Sequence, residues 1–230
     1  AAAADVLERW DRCASLDSVG AALWRETMRG FTKRDWLDAG ALFAEPFDPD
    51  DPVETPRGLA AAPESGPDPI VSAVADAIGH LGAAGVAIDA PLGSVQWIAR
   101  GDDRVPAHGG TESEGILNIL GPSAGLSSGL PVDSLEPKPV PPPYVPGRPG
   151  LGEGGYQVDY GTSFVMAVEL TDDGPRGVGL LAYGQSGDPR SPHHRDGAEA
   201  FSRSETRPLL FADADIEADP DLVTRVVPDT

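Results

Sequence analysis

The sequence predicts an α+β fold in which outer helices and long loops rich in proline and glycine surround a few strands. Apolar residues recur at helical spacing in residues 1–90, which are predicted to be mainly helical. Residues 91–154 contain one hairpin pattern and a proline-rich loop, and residues 155–230 hold the predicted core strands and a C-terminal segment. Glycine (28) and proline (24) make up more than a fifth of the 230 residues, so loops are expected to dominate.

Two short amphipathic helices are predicted near the start of the chain, with a third at residues 35–43. The first covers residues 5–14, and Asp17 and Ser18 are predicted to cap the second. Tryptophan and methionine at helical spacing usually belong to a core, so these apolar residues are predicted to pack inside rather than to line a ligand wall. They are Val6, Leu7, Trp10, Cys13, Ala14, Leu23, Trp24, Met28 and Phe31.

A longer helix is predicted to begin at Asp68, because proline follows this capping residue at the first helical position. Gly82 and Gly85 are predicted to end it. His80 lies near its C-terminal end, where the helix dipole favours a cation, so a structural role is predicted for it. The apolar stripe of this helix consists of Ile70, Val71, Val74, Ala77, Ile78 and Leu81.

A short hairpin is predicted from residues 95–100 and 105–110, with the second strand at a sheet edge because it contains Pro106. Residues 121–154 then carry nine prolines without periodicity. A structureless segment of this length is unusual inside a compact domain, so it is predicted to wrap over another part of the protein.

A second hairpin, around which the chain is predicted to be organised, combines residues 163–170 with residues 178–183. Both runs are apolar on both faces, and Asp172, Asp173 and Gly174 form the turn between them. A hairpin buried on both faces needs a layer above and a layer below. The loop-rich remainder of the chain does not supply both, so the chain is predicted to be a piece of something larger.

The charge balance argues against nucleic-acid and anionic-membrane partners. The chain has 17 basic and 37 acidic residues, a net charge of −20, which phosphate groups would repel. No apolar run is long enough to span a bilayer. The first residues do not form a signal peptide, so any export signal is expected upstream. Cys13 is the only cysteine, and a pairing with another chain stays open.

Acids and histidines do not form a predicted metal site. The acids between residues 48 and 54 lack the spacing of a calcium loop and lie among prolines. His193 and His194 are adjacent, and neighbouring positions do not readily present two imidazoles to one ion. The turn at residues 184–188 could cradle an anion, but no lysine and hydroxyl residue follow as in a phosphate-binding loop.

Residues 121–125 match the G-x-S-x-G motif of serine hydrolases around Ser123, and Asp159 and His193 follow in the chain order of a hydrolase triad. That motif requires a strand before the serine and a helix immediately after it. Residues 126–131 contain Gly129 and Pro131, which do not favour a helix. A serine-hydrolase triad is therefore not favoured.

Several blocks in order resemble the C-terminal part of the β-subunit of the penicillin acylase family, the N-terminal-nucleophile amidases that include acyl-homoserine lactone and aculeacin-type acylases. The last two blocks together are fairly specific. The sequence departs from the family where His194, Asp196 and Gly197 replace an aromatic residue followed by Asp-Gln, which bears on the subfamily. The blocks are residues 7–11, 16–23, 106–110, 156–168 and 184–193.

The resemblance implies an αββα sandwich, with the hairpin in its central sheet and the helices outside. It also implies autoproteolysis that exposes an N-terminal serine, whose own amino group is the base for attack on an amide. Residue 1 is Ala1, so no catalytic residue is predicted in this chain, and Asn118 matches no catalytic motif of the family. Asp159 and Ser163 are the implied supporting residues at the rear of the site.

The implied partners are a companion acylase chain carrying the serine and a small acyl-amide substrate, with no nucleic acid and no membrane span. No cofactor is expected, and a structural calcium, if the complete enzyme has one, is not expected on this chain. A periplasmic or secreted location is expected. The rival hypothesis is a non-catalytic acidic binding domain, favoured by the missing nucleophile and the lack of any metal or cofactor motif. Acyl length, leaving amine and subfamily stay open.

Overall fold

The computed structural model describes residues 1–32, 35, 37, 42–111, 114–116, 120–121, 143–158 and 160–220. Helices and strands are mixed along the chain, which confirms the predicted α+β class. The chain divides into two compact units, Ala1–Thr162 (unit 1) and Ser163–Thr230 (unit 2). The break therefore falls inside the segment 155–230, between its first strands and the predicted hairpin. Among the described residues, every helix is too short or too polar to cross a membrane.

Helices α1 (Ala2–Arg9) and α2 (Ala21–Met28) form, but α1 ends five residues before the predicted end at residue 14. Cys13 therefore lies outside the helix and is exposed rather than packed inside. The predicted cap of α2 is also wrong. The hydroxyl of Ser18 donates instead to the Asp11 carboxylate at 3.1 Å, and α2 begins three residues later, after Gly20. Gly20 has φ +108°, and a Cβ atom there would lie 2.9 Å from Trp10 Cβ. The helix start is therefore set by a left-handed glycine against the preceding tryptophan.

Helix α3 (Pro69–Ala83) is the predicted long helix, and its capping residue is confirmed. The Asp68 side chain accepts hydrogen bonds from the backbone N–H groups of Ile70 (2.8 Å) and Val71 (3.3 Å). The buried stripe is narrower than predicted, since Val71 and Ile78 are exposed. The predicted third helix at residues 35–43 lies largely outside the described residues, and its last position, Phe43, begins a strand.

A five-stranded sheet in unit 1 consists, from one edge to the other, of β4 (Asp103–Pro106), β3 (Gln96–Arg100), β8 (Gly155–Val158), β7 (Arg148–Gly152) and β6 (Tyr144–Val145). Strands β3 and β8 are parallel, and the other neighbours are antiparallel. The β3–β4 hairpin and the edge position of β4, with Pro106, are confirmed. A four-residue helix, α4 (Leu92–Val95), leads into β3.

Strands β6 and β7 correct the prediction that residues 121–154 are structureless throughout. They pair around a turn at Gly147, which has φ +76°. Neither strand shows the alternating apolar pattern, because both are short and β7 contains Pro149 and Gly150. Residues 122–142 of the proline-rich segment lie outside the described residues.

Two small antiparallel pairs complete unit 1: β1 (Phe43–Glu45) with β2 (Arg57–Leu59), and β5 (Leu120–Gly121) with β9 (Tyr160–Gly161). The main core packs α1, α2 and α3 against β7 and β8. Its buried members include Val6, Leu23, Ala77, Leu81, Leu151 and Tyr156.

Unit 2 contains a three-stranded sheet, in which β11 (Gly174–Leu181) lies between β10 (Phe164–Thr171) and β12 (Arg207–Leu209). Phe164 pairs with Leu181 and Thr171 with Gly174, so the predicted antiparallel hairpin is confirmed. Burial on both faces is wrong for this chain, because most residues of β10 are exposed. An apolar pattern indicates that a strand is suited to burial. The strand becomes buried only where another layer of the protein covers it. Unit 2 also contains two helices, α5 (Asp196–Ser202) and α6 (Asp213–Ala218).

Candidate functional site

A buried ion pair lies at the centre of unit 1. Arg25, on α2, places its Nε 3.0 Å from Oε2 of Glu114, and the two side chains are 1% and 2% exposed. Glu114 Oε2 also accepts hydrogen bonds from the backbone N–H (2.5 Å) and hydroxyl (2.7 Å) of Thr111. Burial alone would lower the pKa of Arg25, but Glu114, Tyr156 and Glu26 together outweigh burial, and the pKa is raised. Arg25 therefore remains a cation whose charge is balanced inside the protein.

A second buried carboxylate, Glu26, extends this cluster toward the sheet. The hydroxyl of Tyr156, on β8, donates to Glu26 Oε1 at 2.9 Å. Arg29 and Arg148 place nitrogen atoms 3.0 Å and 3.2 Å from the Glu26 oxygens. The Arg25 guanidinium lies 4.5 Å from the centre of the Tyr156 ring, which joins the two carboxylates into one cluster. Burial, reinforced by Glu26, raises the pKa of Tyr156 well above its ordinary value.

The cluster holds the segment 106–110 in place. The Gln96 side chain donates to the carbonyls of Ala107 (2.9 Å) and Gly109 (3.0 Å), and Arg25 Nη2 donates to the Gly109 carbonyl at 3.4 Å. A Cβ atom at Gly110 would lie 2.7 Å from Ile116 Cγ1 and 3.0 Å from Glu114 Oε2. A larger residue at position 110 would therefore push against the Ile116 side chain and the buried carboxylate.

This arrangement is built to fix backbone rather than to transfer protons. Each carboxylate already faces a cation and accepts at least one hydrogen bond from a protein group, and both are closed off from solvent. Buried charges of this kind stabilise only through good pairing. Among the residues that the structure describes, no group of three or more His, Cys, Asp or Glu side chains is placed to hold a metal ion. We call the set Arg25, Glu26, Glu114 and Tyr156 the buried ionic cluster.

His80, for which a structural role was predicted, lies beside this cluster. Its Nδ1 accepts a hydrogen bond from Arg148 Nε at 3.0 Å, and Arg148 in turn faces Glu26. The imidazole thus ties α3 to β7 through Arg148. The contact that engages it is a side chain from the sheet, not the helix dipole considered from sequence.

In unit 2, the loop that follows β11 is held together by several internal hydrogen bonds. Arg190 binds both carboxylate oxygens of Asp188, at 3.0 Å and 2.8 Å, and this bond lowers the pKa of Asp188. His193 is exposed and its Nδ1 lies 2.9 Å from Asp196 Oδ2, whereas His194 is buried with Nδ1 3.2 Å from the Ser186 carbonyl. The two neighbouring histidines therefore have different partners.

Gly184 and Gly197 bring the two ends of this loop together. A Cβ atom at Gly184 would lie 1.9 Å from the His194 carbonyl oxygen, and one at Gly197 would lie 2.3 Å from the Tyr183 carbonyl oxygen. Real Cβ atoms do not approach so closely, so only glycine fits at either position. Gly184 lies in the last block that resembles the acylases, whereas Gly197 lies four residues beyond it, where the sequence departs from the family.

Of the two residues proposed as site support, only Ser163 lies in the described part of the chain. Ser163 is exposed, and its carbonyl accepts the backbone N–H of Ala182 at 2.8 Å. Asp159 lies outside the described residues, as do Ser123 and Asn118. The supporting role of Asp159 and Ser163 stays a prediction.

Comparison with known proteins decides the family. The penicillin amidase family model matches residues 1–218. The chain belongs to the penicillin amidase family. Aculeacin-A acylase of Actinoplanes utahensis is 35% identical over 223 residues, which cover 96% of this chain and 23% of that protein. The acyl-homoserine lactone acylase PvdQ of Pseudomonas fluorescens is 29% identical over 222 residues, covering 96% of this chain and 25% of that protein.

The chain therefore spans about a quarter of the length of these two curated relatives of the penicillin amidase family. The predicted resemblance is confirmed, and both relatives are acylases by name.

Sequence reasoning missed the buried ionic cluster. Arg25 and Glu26 lie among Leu23, Trp24 and Met28 in α2, a helix in which almost every residue is buried. A pair of charges inside such an apolar helix was the available signal, since charged side chains are rarely buried unless paired. The partner Glu114 is 89 residues away in sequence, so no local pattern could have identified it.

Proposed function

We propose that the chain is the C-terminal part of the β-subunit of an acylase that cleaves an acyl chain from an amine. The observation that carries the proposal is the match to aculeacin-A acylase, which extends over 96% of this chain but only 23% of that enzyme. An activity that belongs to the whole protein is expected to use residues beyond the matched quarter. The substrate classes are N-acyl homoserine lactones, lipopeptides and β-lactams.

The proposed reaction begins on an N-terminal serine outside these 230 residues, exposed by autoproteolysis of the parent polypeptide. Its α-amino group takes the hydroxyl proton, and the hydroxyl oxygen attacks the amide carbonyl. The C–N bond then breaks, the amine leaves with a proton, and the acyl group remains on the serine as an ester. Backbone N–H groups and an asparagine side chain stabilise the negative oxygen. Water hydrolyses the ester in the second half of the reaction.

This chain contributes scaffold to that reaction. The buried ionic cluster joins α2 to β8 and to the segment 106–110, and the glycine-closed loop 184–197 follows the β10–β11 hairpin. In the proposed enzyme the hairpin supplies strands to the central sheet of an αββα sandwich. Rigid support of this kind keeps reacting groups in position, where small displacements cost rate. We place the enzyme in the periplasm or outside the cell, as a processed heteromer with a role in quorum quenching or antibiotic conversion.

The test is to express the parent polypeptide, purify it and assay hydrolysis of a medium-chain N-acyl homoserine lactone, a lipopeptide and benzylpenicillin. Amine release is expected with at least one substrate, and it should disappear when the first serine of the companion chain is replaced by alanine. Amine release that survives this replacement would contradict the proposal. A purified 23.9 kDa protein that binds no companion and hydrolyses none of the three would instead favour a non-catalytic acidic binding domain.

A further inference from the structure

The charges of this chain are skewed in sign rather than unusual in number. Charged residues make up 23% of the sequence, close to the roughly 25% that is usual in soluble domains. They comprise 37 acids and 17 bases, and only two of the bases, Lys33 and Lys138, are lysines. Lysine is ordinarily among the commonest residues of soluble proteins. Even if every base paired with one acid, 20 acids would have no partner within these 230 residues.

Burial makes the surface more acidic than the sequence total. Within the part of the chain that the structure describes, Glu26 and Glu114 are the only buried acids. Arg25 belongs to the same buried ionic cluster, and Arg29 and Arg148 both bind Glu26. Three cations therefore serve two carboxylates. The interior thus takes one more base than acid away from the surface.

The arginines in surface ion pairs each engage a single acid. Among the described residues these pairs are Arg57–Glu45, Arg176–Asp173, Arg190–Asp188, Arg195–Glu199 and Arg203–Glu205. Two exposed segments contain acids and no base: residues 48–54 carry four acids, and α6 carries three among its six residues. On α6, Asp213 and Glu217 lie one helical turn apart, a spacing at which like charges repel each other.

An excess of one charge destabilises the compact state, because folding brings the like charges closer together. Salt screens this repulsion, since the distance over which exposed charges interact falls from about 10 Å at 0.1 M to about 3 Å at 1 M. The surface ion pairs also weaken in salt, but exposed pairs contribute little to stability. Because the acids exceed the bases by 20, screened repulsion outweighs screened attraction at this surface.

We infer that the surface of this chain is adapted to concentrated salt, and that its folded state depends on a diffuse layer of hydrated monovalent cations around the exposed acids. The cations belong to the surface as a whole and not to any one group of carboxylates. This dependence concerns the folded state and goes beyond the proposed function. The opposite arrangement, in which the acids bind bases elsewhere in the parent polypeptide, predicts that salt lowers the stability.

Thermal unfolding of the purified parent polypeptide tests the inference, followed by tryptophan fluorescence in 0.1–2 M KCl at pH 7. One variant neutralises six exposed acids outside the surface ion pairs. The matched control exchanges aspartate and glutamate at the same six positions and so keeps every charge. The neutralising substitutions are Asp50→Asn, Glu54→Gln, Glu64→Gln, Asp172→Asn, Asp215→Asn and Glu217→Gln.

The midpoint temperature of the unaltered protein is expected to rise by at least about 5 °C between 0.1 and 2 M KCl. The neutralised variant should unfold at a higher temperature than the unaltered protein in 0.1 M KCl and gain less from salt, whereas the control should follow the unaltered protein. A midpoint that falls or stays constant as KCl rises would overturn the inference. Equal rises for the neutralised variant and the control would also overturn it, because salt would then act through apolar burial in general. Amine release is measured separately, so an inactive protein that shows the predicted salt dependence contradicts only the proposed function.

Discussion

Replacing Glu114 by glutamine is expected to destabilise the protein severely. The substitution keeps the shape of the side chain but removes the charge that lies 3.0 Å from Arg25 Nε. Because both side chains are almost fully buried, Arg25 is then left as a poorly compensated cation in the interior. Removing one partner of a buried pair lowers the free energy of unfolding by about 3–5 kcal/mol.

Urea denaturation followed by tryptophan fluorescence measures the change, with the slope checked for two-state behaviour. The matched control is Glu45→Gln, which removes one partner of the Glu45–Arg57 pair at 2.7 Å, where both side chains are more than half exposed. Exposed pairs contribute about 0–1 kcal/mol, so the control should unfold almost like the unaltered protein. Equal losses for Glu114→Gln and Glu45→Gln would refute the reasoning. Arg25→Met added to Glu114→Gln should restore part of the loss, since it removes the unpaired charge.

Three further predictions concern Tyr156, Asp68 and Gly184. The pKa of Tyr156 is raised by burial and by Glu26, so above pH ~10 the unfolded chain loses a proton that the folded chain keeps, and the free energy of unfolding falls as pH rises. Tyr156→Phe should remove this pH dependence, which is at most about 1.4 kcal/mol per pH unit, in urea denaturation between pH 9 and 11. The same pH dependence in Tyr156→Phe as in the unaltered protein would contradict a raised pKa for Tyr156. Asp68→Ala removes the cap of α3 and should lower the free energy of unfolding by about 0.5–2 kcal/mol, measured by urea denaturation. An unchanged free energy of unfolding would contradict the two bonds from the backbone N–H groups to Asp68. Gly184→Ala should disrupt the loop around His194, seen as faster proteolysis of unit 2, because its Cβ atom has no room; normal protease resistance would contradict the close packing.

Local features were predictable because they depend on neighbouring residues. Asp68 and Pro69 define the start of α3, and Pro106 identifies the edge strand β4. The pairing of β10 with β11 follows from two apolar runs around an acidic turn. The family resemblance came from short blocks, and one of their glycines, Gly184, lies where a Cβ atom would collide with the backbone of His194.

Features that depend on distant residues were not predictable. Ser18 looks like a helix cap, but it is engaged by Asp11 and the helix begins after Gly20. Strands β6 and β7 have too few residues to show the alternation of apolar and polar side chains. Because they also lie in a proline-rich segment, the sequence did not identify them as strands. The buried ionic cluster joins Arg25 to a carboxylate 89 residues away, and the hairpin pattern could not tell which layer covers it.

The location of the acyl group during turnover tests the central claim most directly. The purified parent acylase is incubated with a slowly hydrolysed acyl amide, quenched in acid and digested, and the peptide carrying the acyl mass is identified by mass spectrometry. The account predicts that the acyl group is found on the N-terminal serine of a companion chain and on no peptide from residues 1–230. An acyl group on a serine of these residues, such as Ser123, would contradict it.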